Sequence, residues 1–148
     1  MSILMIMGST PRHAFMARAV AASGRLKGIV VETRGWRSPV APPGTPPRTL
    51  ALFEQHFEAR AAAEARCFGT DANADFPAIE AVCIPREEMN GPRCWAVIDR
   101  FKPDLLLTYG ITKLTQETLA HAHGHRWNIH GGLVPFYKCA GATCSSRR

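Results

Sequence analysis

The sequence predicts an α/β fold, a Rossmann-like and mostly parallel sheet with helices on both faces. Residues 2–8 form a short apolar run that a polar turn and a helical stretch separate from a second apolar run at residues 28–32. Strand, helix and strand in this order open a parallel α/β sheet. Residues 104–110 form a near-continuous apolar run, which is typical of a strand buried on both faces. A chain of 148 residues supports one domain, so we predict a single domain over residues 1–148.

Composition restricts the class of protein. The chain is 46% hydrophobic and 20% charged, which is ordinary for a globular protein. No apolar run approaches the roughly 18 residues of a membrane helix, and the apolar start lacks the basic region and cleavage site of a signal peptide. We therefore predict no membrane partner and a cytoplasmic location. Five cysteines without a Cys-x-x-Cys pair predict no disulfide framework.

The formal net charge of +6 favours anionic ligands. Lysine and arginine are scattered along the chain, with no basic helix and no alternation of basic and aromatic residues. Nucleic acid is therefore not the expected partner.

The first helix is predicted to begin at Pro11, with Ser9 or Thr10 as its N-cap and Gly24 at its C-terminal end. Its apolar positions recur at helical spacing. We expect its buried face to carry Phe15, Ala19 and Ala22.

The later elements follow from similar signals. Five prolines make residues 36–47 a loop, and a long helix follows over about residues 49–67, closed by Gly69. A helix stopped by Pro103 and a short helix capped by Thr115 flank the apolar run at 104–110. The remaining predicted ranges are a strand at 79–84, helices at 92–102 and 116–122, a strand ending at 127–130, and an irregular tail at 139–148.

The turn after the first strand is one candidate site. Helix N-termini attract anions through free backbone N–H groups, and parallel sheets use this position. The candidate ligand contacts are Gly8, Ser9, Arg12 and His13. No Gly-x-Gly-x-x-Gly or Walker pattern is present, so a dinucleotide or P-loop site is not predicted. A capped turn with two exposed basic side chains is the alternative interpretation.

A second candidate site lies at residues 127–130. If this segment ends a strand, alternation places Asn128 and His130 on the same face, toward a cleft beyond the strand end. An amide donor beside an imidazole can stabilise a developing oxyanion. The loop at residues 110–114 would reach the same cleft. The alternative is that Asn128 caps a turn and that His130 is a half-buried structural histidine.

The segment 121–125 carries three histidines at alternate positions. His121, His123 and His125 could bind zinc together with Cys139 or Cys144. Gly124 interrupts regular geometry, and no Asp or Glu follows Glu117 to orient such a site. We therefore predict a solvated connector and no metal.

Two segments together resemble the folate-dependent formyltransferase family, whose members act on methionyl-tRNA, phosphoribosylglycinamide or amino sugars. The family has a Pro-Asp-Leu-Leu-Leu-x-Tyr-Gly strand followed by Asn-x-His-x-Ser-Leu-Leu-Pro-x-Tyr-Arg-Gly. Residues 103–110 match the first motif. In the second, Gly132, Lys138 and Cys139 replace the usual serine, arginine and glycine. The direct matches are Asn128, His130, Leu133, Pro135 and Tyr137.

This resemblance implies transfer of a formyl group from 10-formyltetrahydrofolate to an amine. It implies that Asn128 and His130 stabilise the tetrahedral oxyanion, and that the amine enters near residues 8–13. The acceptor stays open between an amino-sugar nucleotide, a small amine and an aminoacyl-tRNA. By the same resemblance, the pteridine would meet the backbone of Tyr109, Gly110, Ile111, Thr112 and Leu114.

The chain also departs from the family. The family's catalytic aspartate follows the histidine by a few dozen residues, and here no Asp or Glu follows Glu117. We interpret residues 1–148 as the N-terminal portion of that catalytic domain, a truncated or frame-shifted product, which leaves its activity open. The alternative function is a non-catalytic α/β module that binds a phosphorylated or nucleotide ligand at the turn of residues 8–13.

Overall fold

The computed structural model describes residues 1–33, 40–70 and 76–130. These residues form five strands, four α-helices and one 3₁₀ helix at Arg86–Glu88. The strands are β1 (Ile3–Met7), β2 (Leu26–Thr33), β3 (Ala81–Pro85), β4 (Leu105–Tyr109) and β5 (His125–Ile129). The helices are α1 (Pro11–Ala21), α2 (Pro47–Phe68), α3 (Pro92–Phe101) and α4 (Gln116–Ala120).

All five strands run parallel, in the order β3-β2-β1-β4-β5. The central strand β1 is buried along its whole length, as is typical of a parallel sheet covered on both faces. The predicted α/β fold with a parallel sheet is confirmed.

Two apolar clusters separate the faces of the sheet. On one face, Met5 and Met7 of β1 join Ala17 of α1. On the other face, Leu4 and Ile6 join residues of α3 such as Ile98. Alternate residues of one strand thus pack under helices on opposite sides, as the period of two requires.

The predicted buried face of α1 was wrong. The helix buries His13, Ala14 and Ala17, while Phe15 is 46% exposed. Phe15 packs outward on Phe68 of α2, with ring centroids 5.3 Å apart. The two alanines keep the helix close to the sheet, and a phenylalanine on that face would hold it further away. The other two residues predicted on the buried face, Ala19 and Ala22, are exposed.

The ends of several elements differ from the predicted ones by one or two residues. The first helix ends at Ala21, and Gly24 lies beyond it in a turn with φ +69°. The long helix begins at Pro47, two residues earlier than predicted, and Gly69 follows its end as predicted, with φ +81°. The third strand begins at Ala81, and the short helix after Thr115 ends at Ala120.

The long helix α2 covers α1 rather than the sheet. None of its residues is buried. Its contacts with α1 include the Phe15–Phe68 ring pair and an ion pair between Arg12 and Glu64. The described part of the predicted proline-rich loop is residues 40–47, of which 40–46 contain no helix or strand and Pro47 already belongs to α2.

Some predictions fall outside the described residues, namely the start of the proline-rich loop, the tail at 139–148, and the motif positions Leu133, Pro135 and Tyr137. Over the ranges that the structure does describe, no helix combines the length and the apolar character needed to cross a membrane.

Candidate functional site

The candidate site lies at the carboxyl ends of β1 and β4. The chain builds the sheet outward from β1 to β3 and then crosses to β4 and β5 on the other side. The order therefore reverses between β1 and β4, and in open α/β sheets ligands bind in the crevice at such a switch point. Gly8 follows β1 and Gly110 follows β4, and the Gly8 N–H donates to the carbonyl of Tyr109 at 3.3 Å. The two predicted segments, 8–13 and 109–114, thus meet there.

The imidazole of His13 occupies this switch-point crevice. His13 is 2% exposed, and its ring centroid lies 4.8 Å from that of Tyr109. A Cβ placed on Gly8 would lie 2.8 Å from His13 Cε1, and one on Gly110 would clash with His13 Nε2. Glycine is therefore required on both sides of the ring. The alternative interpretation of this turn, with two exposed basic side chains, is wrong for His13.

Thr10 sets the protonation pattern of the His13 ring. The backbone N–H of Thr10 donates to His13 Nδ1 at 3.2 Å, and Thr10 Oγ1 lies 2.6 Å from the same nitrogen. Because Nδ1 accepts a backbone N–H, the ring proton belongs on Nε2. The nitrogen beside Gly110 is therefore the N–H donor of the ring.

Arg12 is directed to α2 rather than to the crevice. Its Nη1 lies 2.7 Å from Glu64 Oε1, which also accepts from Arg60 Nε at 2.9 Å. The side chain of Arg12 is 28% exposed in this pair. Ser9 is half-buried in the turn itself. Of the four residues predicted to bind substrate, the structure places Gly8 and His13 in the crevice and gives Arg12 a structural partner.

The loop between β4 and α4 follows the crevice. Gly110 has a φ of +62°, which glycine adopts without strain. Thr112 donates its N–H to Glu32 Oε2 at 2.7 Å, and its Oγ1 accepts from Arg86 Nε at 3.2 Å. Leu114 is 9% exposed and belongs to the core under α3, and Ile111 packs against the same core. The apolar side chains thus anchor a loop whose backbone lies at the edge of the sheet.

The second candidate pair lies one strand further along. β4 and β5 pair with Thr108 opposite Asn128. Thr108 Oγ1 donates to Asn128 Oδ1 at 2.9 Å, so the remaining polar group of the amide is the donor Nδ2. β5 ends at Ile129, so His130 directly follows the strand instead of belonging to it, and it is half-buried.

The three histidines of residues 121–125 do not share a site. His121 Nδ1 lies 2.9 Å from both carboxylate oxygens of Asp99, and its ring stacks on Trp95 with centroids 5.2 Å apart. His121 is thus a packed side chain and not part of a solvated connector, whereas His123 and His125 are exposed. Within the described ranges, no three His, Cys, Asp or Glu side chains are grouped to bind a metal ion. Cys139 and Cys144 lie outside those ranges.

Three side chains at the site were missed by sequence reasoning: Glu32, Thr108 and Asn90, whose Nδ2 donates to the carbonyl of Lys113 at 3.0 Å. The sequence could have indicated a role for Glu32, because a carboxyl group directly after the apolar residues Ile29–Val31 of a strand needs a buried hydrogen-bond partner. Asn90 lies in a polar segment before α3 and had no such signal. Thr108 looked like an ordinary strand residue.

Comparison of the chain with known protein families and with curated proteins finds no match.

Proposed function

We propose that this chain is a formyltransferase-like protein that transfers a formyl group from 10-formyltetrahydrofolate to an amine. The proposal rests on the formyltransferase resemblance of two segments, and the observation that supports it is that the in-register pairing of β4 with β5 brings these two segments together. Because Tyr109 lies opposite Ile129, the Gly110 turn and the segment Asn128–His130 leave the sheet side by side, at its carboxyl edge. We propose a cytoplasmic location.

In the proposed reaction, the amine nitrogen attacks the formyl carbon of the donor. The carbonyl oxygen becomes an oxyanion, which accepts hydrogen bonds from Asn128 Nδ2 and from the imidazole of His130. The bond from the formyl carbon to N10 of the folate then breaks, N10 takes up a proton, and the amine nitrogen loses one. Donors fixed before the reaction stabilise the oxyanion most, and the bond from Thr108 to Asn128 supports such preorganisation.

The acceptor is proposed to be a small-molecule amine, with an amino-sugar nucleotide as the first choice. The net charge of +6 favours an anionic acceptor. The dispersed basic residues give less support to an aminoacyl-tRNA, which binding proteins contact through clustered positive charge. The acceptor would enter beside Gly8 and His13, next to the donor loop.

A formyl-transfer assay tests the proposal. Tetrahydrofolate release from 10-formyltetrahydrofolate is followed with a nucleoside-diphosphate amino sugar, a simple primary amine and an aminoacyl-tRNA. Removing one oxyanion donor typically lowers kcat by about 10²–10³-fold. We therefore expect Asn128→Ala and His130→Ala to lose activity on that scale. His125→Ala is the matched control, because His125 is exposed at the opposite end of the same strand. Absence of formylated product with all three amines, or unchanged activity in both site variants, would overturn the proposal.

The alternative, a module that binds a phosphorylated or nucleotide ligand at residues 8–13, has less support. Pro11 has no N–H, and the backbone N–H of Thr10 donates to Nδ1 of His13. The backbone N–H of His13 donates to the carbonyl of Thr10 at 2.9 Å. Few N–H donors of the first turn of α1 therefore remain for an anion. Calorimetry separates the two functions, because the alternative requires a nucleoside diphosphate to bind and 10-formyltetrahydrofolate not to bind.

A further inference from the structure

Glu32 is a buried acidic side chain that the proposed chemistry does not use. It is the penultimate residue of β2 and is 0% exposed. Burying a carboxyl group costs free energy unless its oxygens are hydrogen-bonded. Here Oε2 accepts the backbone N–H of Thr112 at 2.7 Å, from a residue 80 positions later in the chain. The contact joins the end of β2 to the middle of the loop that follows β4.

That loop has little regular structure of its own. Residues 111–115 belong to no helix or strand. Side chains from other segments supply hydrogen bonds to this loop in place of those that a helix or strand would make. Arg86 donates to Thr112 Oγ1 at 3.2 Å. Asn90 Nδ2 donates to the carbonyl of Lys113 at 3.0 Å, and Asn90 Oδ1 accepts the N–H of Thr115 at 2.8 Å.

These contacts divide the loop into two parts. The N–H and the hydroxyl of Thr112 both bind protein groups, and the half from Lys113 to Thr115 is bonded to Asn90. The backbone around Ile111 lies between the crevice and Thr112. Glu32 fixes the C-terminal end of this short segment through its hydrogen bond to the Thr112 N–H. A loop that is ordered before binding does not lose conformational entropy when its ligand binds.

We propose that Glu32 is a positioning residue for the formyl donor, acting through the backbone of Thr112. This inference rests on the proposed function, because that function assigns the loop of residues 109–114 to the folate. Glu32 fixes the midpoint of the loop, and the preceding residues then present their backbone groups to the donor in one conformation. Its effect falls on donor binding and not on the reacting atoms.

The test compares Glu32→Ala with Glu32→Gln. Alanine removes the acceptor for the Thr112 N–H, whereas the amide oxygen of glutamine keeps it. We expect Glu32→Ala to raise the Kd and KM for 10-formyltetrahydrofolate about tenfold, the scale of one lost hydrogen bond to a buried group. We expect kcat at saturating donor to stay unchanged and Glu32→Gln to recover most of the affinity. Glu80→Ala is the matched control, because Glu80 is an acidic residue paired with Arg100 in an exposed ion pair outside the site.

Amide hydrogen exchange of Thr112, followed by NMR, provides a readout that needs no activity. Its N–H should lose protection in Glu32→Ala and keep it in Glu32→Gln. If Glu32→Ala fails to fold, Glu32→Met replaces it, since methionine fills a similar volume but offers no oxygen to accept the Thr112 N–H. That variant should raise the donor Kd on the same scale.

The outcomes separate the two proposals. A wild-type protein that binds and uses the donor, with an unchanged donor Kd in Glu32→Ala or in its replacement, overturns the positioning role alone. Unchanged protection of Thr112 in Glu32→Ala does the same. A wild-type protein that does not bind 10-formyltetrahydrofolate overturns the proposed function, and the role of Glu32 toward the donor with it.

Discussion

Thr108 Oγ1 donates a hydrogen bond to Oδ1 of Asn128 across the β4–β5 pair, over 2.9 Å. The two residues lie directly opposite each other in the register of the parallel strands, so a short hydroxyl side chain reaches the amide. An amide held through its oxygen presents its NH₂ group to the solvent or to a ligand. The orientation of Asn128 that the proposed oxyanion stabilisation needs is thus supported by its neighbour in β4.

Replacing Thr108 by valine should weaken formyl transfer. Valine keeps the shape of threonine but cannot donate, so the Asn128 amide would no longer be held in one rotation. We expect kcat to fall about fivefold to tenfold, which corresponds to one hydrogen bond of about 1 kcal/mol, with KM for the donor unchanged. Steady-state kinetics measures both constants, and Thr108→Ser should restore kcat. A valine variant as active as the serine variant would contradict this role.

Replacing Gly110 by alanine should destabilise the fold. The residue has φ +62°, and an added Cβ would clash with the ring of His13. Backbone strain and overpacking each cost about 1–3 kcal/mol, and urea unfolding measures the loss. Gly24→Ala is the matched control, because Gly24 has φ +69° but open space around its Cα. The destabilisation of Gly110→Ala should exceed that of the control, and equal losses would show that the ring moves aside freely.

Replacing Lys102 by glycine should stabilise the protein. Lys102 caps the C-terminal end of α3 with φ 43° and ψ 58°, a left-handed conformation that is strained for any residue with a Cβ. Removing the strain should raise the free energy of unfolding by about 1 kcal/mol. Lys102→Ala should give no such gain, because alanine retains the Cβ. Thermal unfolding of the three proteins measures the difference, and a glycine variant no more stable than the alanine variant would rule out strain.

The buried thiol of Cys94 predicts a loss of stability at alkaline pH. Cys94 lies on the buried face of α3, and burial raises the pKa of its thiol from 9.0 to about 11, because the thiolate loses its hydration there. The folded protein thus keeps the proton to higher pH than the unfolded chain. The contribution of the Cys94 thiol to the free energy of unfolding is fully present below pH 9. It declines as the pH rises toward 11, by up to roughly 2–3 kcal/mol.

Comparison with Cys94→Ala isolates that contribution from those of all other groups. The wild-type free energy of unfolding should fall more steeply between pH 9 and 11 than that of the variant. Parallel pH profiles would show that Cys94 is not the group responsible. Thiol labelling at pH 8 offers a second check, since exposed Cys67 and Cys83 should react before buried Cys94.

The sheet could be predicted from the sequence because its strands carry local signals. The apolar run of residues 104–110 indicates a buried strand, and the polar turn before Pro11 indicates the start of a helix. Both signals lie within a few residues of the chain. The buried face of α1 could not be predicted in this way. Phe15 and Ala14 are neighbours in a short helix, and only the distance from helix to sheet decides which of them is buried.

The site was predictable to the extent that it depends on strand ends. Gly110 lies at the carboxyl edge because it directly follows the apolar strand β4, and Asn128 lies there because it is the penultimate residue of β5. The contacts that orient the site depend on tertiary structure instead. Glu32 meets Thr112 across 80 positions, and Arg12 meets Glu64 across 52. Neither pairing leaves a local pattern in the sequence. The sequence therefore could not show that Glu64 binds Arg12 and directs it away from the crevice.

The central position of β1 also affects how the chain can fold during synthesis. Ile3 pairs with Leu105, and Ser2 is hydrogen-bonded to Asp104, 102 positions away. At translation rates of about 5–20 residues per second, the β4 side of this first strand stays unpaired for roughly 5–20 s after it leaves the ribosome. An apolar strand with an open edge is prone to pair with other chains in that interval. The first strand to be made is therefore among the last to be enclosed, and a chaperone that binds nascent chains would find its target there.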